Sequence, residues 1–226
     1  DVADVAWGLG FVLMAWTSLF LSNDFGLRSV LINILVSVWG LRLAWHIHTR
    51  NKGKTEDYRY EAWRKEWGSF FYIRSYFQVY LLQGLLLFLI VSPVLVINKS
   101  YNSSVGFLDL VGVLVWLFGF YFEVVGDAQL ARFIKNPENK GKLMQSGLWA
   151  YTRHPNYFGE VTLWWGVWLV ALSVPNGIYA IIGPLTITFL ILKVSGIPLL
   201  EKKMEENPDF QEYKSRVSMF IPLPRK

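Results

Sequence analysis

Six apolar runs, at residues 2–21, 29–48, 74–97, 107–131, 157–173 and 178–200, dominate this chain of 226 residues. Each approaches the ~20 residues that an α-helix needs to cross the hydrocarbon of a bilayer. In hydrocarbon the backbone must satisfy its own amides, which leaves helices as the solution for runs of this kind. The expected fold is therefore all-α, a polytopic membrane bundle of six transmembrane helices. The fifth run is short, and the sixth contains Pro184 and Pro198. The chain starts inside a hydrophobic pattern, with no basic n-region or small-residue cleavage site, so no signal peptide is read. A seventh span upstream is compatible with that start. One integral-membrane domain over 1–226 is expected, with the cofactor-binding part mainly in 107–226.

The basic residues test this map. Of the 22 Lys and Arg, nineteen fall in three regions, 50–74, 132–153 and the tail from 193. All three lie on the same side of a six-span map, and the opposite loops are nearly uncharged. Excess Lys and Arg marks the cytoplasmic side. The basic loops and the C-terminus are thus expected in the cytoplasm of a multi-pass protein, with the bilayer as its principal partner. In this setting the net charge of +5 reflects topology and does not point to nucleic acid. The absence of cysteine excludes disulfides, thiolate catalysis and Cys-ligated zinc. Three histidines leave little for a metal site, and none is expected.

The polar residues inside the apolar runs point to function, because an ionisable group at bilayer depth is costly and normally faces a cavity or a partner. Asn156 and Glu160 are four apart, on one helical face, and Trp164 and Trp168 extend it. Glu123 and Asp127 repeat the spacing in the fourth run. Trp39, Arg42, His46 and Arg50 make a similar stripe in the second, and Asp4 sits near the start of the first. Three stripes near the basic side suggest one polar cavity opening to the cytoplasm. Structural ion pairs between helices are the competing reading. The stretch "YTRHPNYFGE" at 151–160 enters the fifth run. Pro155 suits the first turn of a helix and restricts His154 to an extended conformation. The free N–H groups of that helix start, beside Arg153, suit a phosphate or carboxylate. A helix cap with a headgroup-level arginine fits the same residues.

No Walker motif is present, and no G-x-G-x-x-G follows a strand, so a nucleotide would have to be held by the bundle and its loops. A transporter would be expected to show inverted repeats and broken helices, and the sequence has no such repeat.

At the level of motifs, the chain resembles the DUF1295 group of the steroid 5-alpha-reductase C-terminal superfamily. The matching stretches are "DVAWGLGF" (4–11), "WGLRLAWHIHTRNKGKTEDYRY" (39–60), "GDAQLARF" (126–133), "SGLWAYTRHPNYFGE" (146–160), "KVSGIPLLEKKM" (193–204) and "EYKSRVSMFIPLP" (212–224). The resemblance implies a bacterial inner-membrane enzyme that reduces a carbon–carbon double bond of a lipid with NADPH. It implies that Asn156 meets the nicotinamide amide, supported by Glu160, and that Asp127 meets the ribose. Arg132, Lys142 and Arg153 would meet phosphates. His154, Tyr157, Lys193, Glu201, Tyr213 and Arg216 would complete the wall. On the substrate side the related enzymes use a Tyr and a Glu, where this chain is similar with His46 and Asp4. A histidine can supply a proton at neutral pH, and Arg42, one turn away, can stabilise an enolate. The departure leaves the lipid substrate open. The chain is also similar to isoprenylcysteine carboxyl methyltransferases, which share Arg153-His154-Pro155-x-Tyr157-x-Gly159 and bind S-adenosylmethionine. Those enzymes carry two adjacent Glu in the tail, whereas here Glu201 precedes Lys202. Reduction is the first expectation, methyl transfer the second and lipid binding without catalysis the third.

Overall fold

The computed structural model describes residues 2–52, 64–100 and 104–225, with the side chains of 2–4, 78 and 79 outside that description. Among the described residues the secondary structure is helical, apart from one isolated bridge between Thr152 and Ser218. The stretches Val5–Ser22, Leu27–Asn51, Phe107–Lys135 and Gly177–Met204 are long and apolar enough to cross a membrane, and Leu82–Asn98 is a shorter apolar helix. The fifth expected run is the 17-residue helix Pro155–Ala171. The chain thus forms the expected all-α membrane bundle.

Two compact units contain these helices, residues 1–106 with 174–183, and residues 107–173 with 184–226. In the first unit lie α1 (Val2–Ser22), α2 (Leu27–Asn51), α3 (Phe71–Ser75) and α4 (Leu82–Asn98). A π-helical segment, Tyr76–Leu81, interrupts the third expected run between α3 and α4. The α1 and α2 backbones touch at two glycines, where a Cβ added to Gly40 would lie 2.6 Å from the Gly8 carbonyl oxygen. Three helices are then tied by one buried carboxamide. Asn98 donates to the Ala15 carbonyl at 3.1 Å and the Ser18 hydroxyl at 2.6 Å, and accepts from Asn33 at 2.8 Å. Satisfied polar groups of this kind fix helix register in an apolar setting where packing alone discriminates poorly.

In the second unit lie α5 (Phe107–Lys135), α6 (Pro155–Ala171), α8 (Ile197–Met204) and α9 (Pro208–Arg216), with α7 (Ile182–Phe189) leading in from the first. The antiparallel α5 and α6 meet backbone to backbone. Glycines recur every seven residues on both, Gly112, Gly119 and Gly126 facing Gly166, Gly159 and the start of α6. A Cβ on Gly119 would lie 2.5 Å from Leu163 N and 2.6 Å from Gly159 O, and one on Gly166 would lie 2.7 Å from Gly112 O. Small residues are what let membrane helices approach this closely, where no hydrophobic force drives helix to helix.

The sixth expected run is not one helix. After α7 the chain forms a π segment, Leu190–Val194, whose last amides bond back to Leu190 O, at 2.9 Å from Ser195. Gly196 takes a non-helical conformation and α8 starts afresh, with Pro198 in its first turn where a missing N–H costs nothing.

The tail returns along residues 147–154. Arg153 N donates to Ser218 O at 2.9 Å, Thr152 Oγ1 to Phe220 O at 2.8 Å, and Leu223 N to Tyr151 O at 3.0 Å. The Arg225 guanidinium reaches the carbonyls of Ala150 and Gln145. The Arg153 side chain, 7% exposed, donates to Glu201 through Nε at 2.8 Å and Nη2 at 3.3 Å, and to Val217 O through Nη1 at 2.7 Å.

Two mutational outcomes follow from this packing. Gly119→Ala should lower the melting temperature in detergent by the equivalent of about 1–3 kcal/mol, since its Cβ meets backbone that cannot move aside. Gly84→Ala, with nothing near its Cβ, should leave the melting temperature unchanged or raise it by the equivalent of up to about 1 kcal/mol of stability. Glu201→Ala should cost about 3–5 kcal/mol by stranding a buried guanidinium, while Glu201→Gln, which keeps an acceptor, should cost less; thermal melts of the three proteins read both comparisons.

Candidate functional site

The close α5–α6 approach brings two polar pairs onto one stretch of the helix pair. Glu123 and Asp127 stand one turn apart on α5, both buried. Asn156 and Glu160 stand one turn apart on α6, both half-buried. At the end of the glycine series, Gly126 packs 3.1 Å from Asn156 N and 3.3 Å from the Pro155 ring, measured from an added Cβ. That contact lets the Asn156 amide donate to Asp127 Oδ1 at 3.0 Å. Glu123, Asp127 and Glu160 each have further interactions within the protein. A helix of 29 residues is ~43 Å long, longer than the ~30 Å hydrocarbon, so ~20 residues from Phe107 bring α5 to the level of Asp127. The pair therefore belongs at the end of a span, where polar groups meet water.

The start of α6 is built as the sequence suggests. Pro155 is its first residue, and His154 precedes it in a non-helical conformation (φ −139°, ψ 62°), short of the extended ψ expected, with no side-chain cap. The surroundings of Arg153 and His154 differ from the expected anion site. All three guanidinium nitrogens of Arg153 are engaged, by Glu201 and by the carbonyls of Val217 and Lys214. His154, 3% exposed, has Nε2 3.0 Å from Glu201 Oε1 and stacks on Tyr157 at 5.8 Å. Glu201 thus gathers two residues that the sequence assigns to a phosphate wall. Tyr213 donates its phenol to Trp149 O at 2.5 Å, and burial pushes that phenol above its ordinary pKa, so it stays a donor at neutral pH. Trp149 in turn donates Nε1 to Gly126 O at 3.0 Å, next to Asp127. Gln129 accepts from Leu148 N at 2.9 Å, and fits because Gly147, at φ +62°, has no Cβ to collide with it.

The remaining expected cations are on the surface. Arg132 is exposed and returns its Nε to Ala128 O at 3.2 Å, on its own helix. Lys142 and Lys193 are exposed, Lys193 within the π segment. Arg216 is exposed and pairs with Glu212 at 2.8 Å. Arg42 and His46 are half-buried one turn apart on α2, in the first unit, and both have interactions within the protein. On the same stripe Trp39 is buried edge-on against Phe11 at 5.2 Å, and Arg50 is exposed. The side chain of Asp4 lies outside the described residues, as do Lys54 and Arg59 of the 50–74 loop. The sequence reading did not assign roles to Trp149, Thr152 or the 217–223 backbone. A tryptophan five residues ahead of the His-Pro helix start is the one local hint for Trp149.

The profile of DUF1295, described as a protein family of unknown function, matches residues 1–217. An uncharacterized protein of Schizosaccharomyces pombe is 24% identical over 225 residues, covering 86% of this chain and 63% of that protein. The 3-oxo-5-alpha-steroid 4-dehydrogenase 1 of Bos taurus is 33% identical over 72 residues, 32% of this chain and 28% of its own length. The chain spans less than two thirds of either relative. No solved structure matches. With a profile match across nearly its whole length, the chain belongs to the DUF1295 family.

Proposed function

We propose that this protein is a membrane oxidoreductase that uses NADPH to reduce a carbon–carbon double bond of an unsaturated lipid, on the side of the membrane that carries its basic loops. The distribution of Lys and Arg supports a cytoplasmic position for that side. The observation that carries the reading is the hydrogen bond from Asn156 to Asp127, set at the end of the glycine-packed helix pair. The similarity to a bovine steroid dehydrogenase supports the reaction class.

The residues fit a nicotinamide nucleotide. Asn156 uses one amide proton on Asp127, which fixes its orientation and leaves its carbonyl oxygen to accept from a carboxamide. Asp127 is held where a carboxylate can accept from ribose hydroxyls. Arg132, Lys142 and Lys193 are exposed cations of the same unit, suited to phosphates. Arg153 acts on this reading by fixing the start of α6 against the tail, because its donors are already engaged. When bound, reduced nicotinamide supplies a hydride. Protein groups must supply the matching proton and stabilise charge on the conjugated oxygen. We assign the proton to His46, the oxyanion to Arg42, and a supporting carboxylate to Asp4.

Ligand binding to the folded state raises its melting temperature, so a thermal-shift titration distinguishes the donors. NADPH should stabilise the protein in detergent, by about 2.7 kcal/mol at a concentration one hundred times Kd. Stabilisation by S-adenosylmethionine in its place would make the same residues a methyl-donor site and remove the reductase reading. Asn156→Ala should weaken NADPH by about 10- to 100-fold, or about 1.4–2.8 kcal/mol, without lowering the melting temperature of the free protein appreciably. His46→Phe should bind NADPH normally and lose about 10²- to 10⁴-fold in turnover; normal turnover would exclude His46 as the proton donor.

A further inference from the structure

The C-terminal segment after Gly196 is built inside out for a water-exposed appendage. On α8 the inward face carries Glu201, against Arg153 and His154, together with Ile197 and Met204. Its outward face presents Leu199 and Leu200, with Lys202 and Lys203 alongside. The tail also presents apolar side chains outward. Val217 is buried and Phe220 packs on Phe158 at 5.7 Å, while Met219, Ile221 and Leu223 point outward, 41%, 59% and 51% exposed. Between these two stretches, α9 has the opposite pattern. It buries Phe210 and Tyr213 and exposes Asp209, Gln211, Glu212, Ser215 and Arg216. One element of the segment therefore faces water, and its two neighbours do not have a surface suited to water.

We propose that α8 and residues 219–223 rest on the membrane itself, at the boundary between headgroups and acyl chains, with α9 facing the aqueous phase. The occupant follows from continuity. The preceding stretch already exposes Leu185, Phe189 and Val194 as part of a run apolar enough to span a bilayer. The turn at Gly196 then redirects the chain, and the apolar outer surface continues through Leu199 and Leu200. Lys202 and Lys203 keep this helix out of the hydrocarbon and suit headgroup depth, where a long stem lies on apolar surface and its ammonium reaches water. Opposite charges balance over the segment, with Lys214 on Glu205 at 2.9 Å and Arg216 on Glu212 at 2.8 Å, so apolar contact and not an anionic surface carries the association. The consequence is that the Arg153–Glu201–His154 cluster lies beneath a lipid-supported cover. This inference does not depend on the cofactor or the reaction.

The absence of native cysteine allows a direct test on the full chain. Leu200→Cys, Ile221→Cys and Ser215→Cys would each be labelled with a polarity-sensitive fluorophore and placed in phosphatidylcholine nanodiscs. Probes at 200 and 221 should be quenched several-fold more by doxyl-labelled lipid than by aqueous iodide, and the probe at 215 should show the reverse. Iodide quenching at 200 or at 221 equal to that at 215 would overturn the proposal. Should either variant fail to assemble, Leu199→Cys and Met219→Cys read the same two surfaces.

Discussion

The second unit depends on one contact, the backbone-to-backbone approach of α5 and α6. Hydrocarbon surrounds both helices, so burying one apolar side chain against another gains little over burying it in lipid. What remains is close packing, and glycines at seven-residue intervals allow it along the whole pair. A spacing of seven keeps small residues on one stripe only if the helices wrap slightly around each other. The register is consequently fixed by main chain, which has no alternative rotamers. Asp127 and Asn156 inherit that precision, because each follows directly from the last glycine contact.

A second constraint acts on charge. Arg153 is nearly buried, and a buried guanidinium is tolerated only with its donors filled. Glu201, Val217 and Lys214 fill them, and the geometry holds α6, α8 and the tail in one arrangement. The same residues link to the other helix through Tyr213, Trp149 and Gly126. Both helices that carry the candidate site are therefore braced from the C-terminal segment, by an ion pair on one side and neutral hydrogen bonds on the other.

Much of this was legible in the sequence, because hydrocarbon imposes a simple rule on length and polarity. The first, second, fourth and fifth apolar runs correspond to single helices within a few residues, and the pairing of Asn156 with Asp127 lies on two stripes that the four-residue spacing identifies. The breaks were not legible. The π segments at 76–81 and 190–194 lie inside apolar runs, and backbone hydrogen bonding distinguishes them from α-helix. The partners of Arg153 were not legible for a related reason. Its sequence neighbours suggest an anion site at a helix start, while its partners lie 48 to 64 residues downstream in a tail with no periodic signal. The seven-residue glycine spacing carries the information about helix contact that hydropathy omits.

The distance along the chain between Arg153 and its partners has a consequence for biosynthesis. Residues 217–223 are synthesised after α5 and α6, which precede them in the chain. Until the tail arrives, Arg153 has no main-chain acceptors from Val217, and Trp149 has no Tyr213 against its carbonyl. The nascent protein can thus complete its spans while the polar end of α6 is still held in water at the membrane surface. A chain cut before Tyr213 would still carry α5 and α6 yet lack the partners that close the polar end of α6.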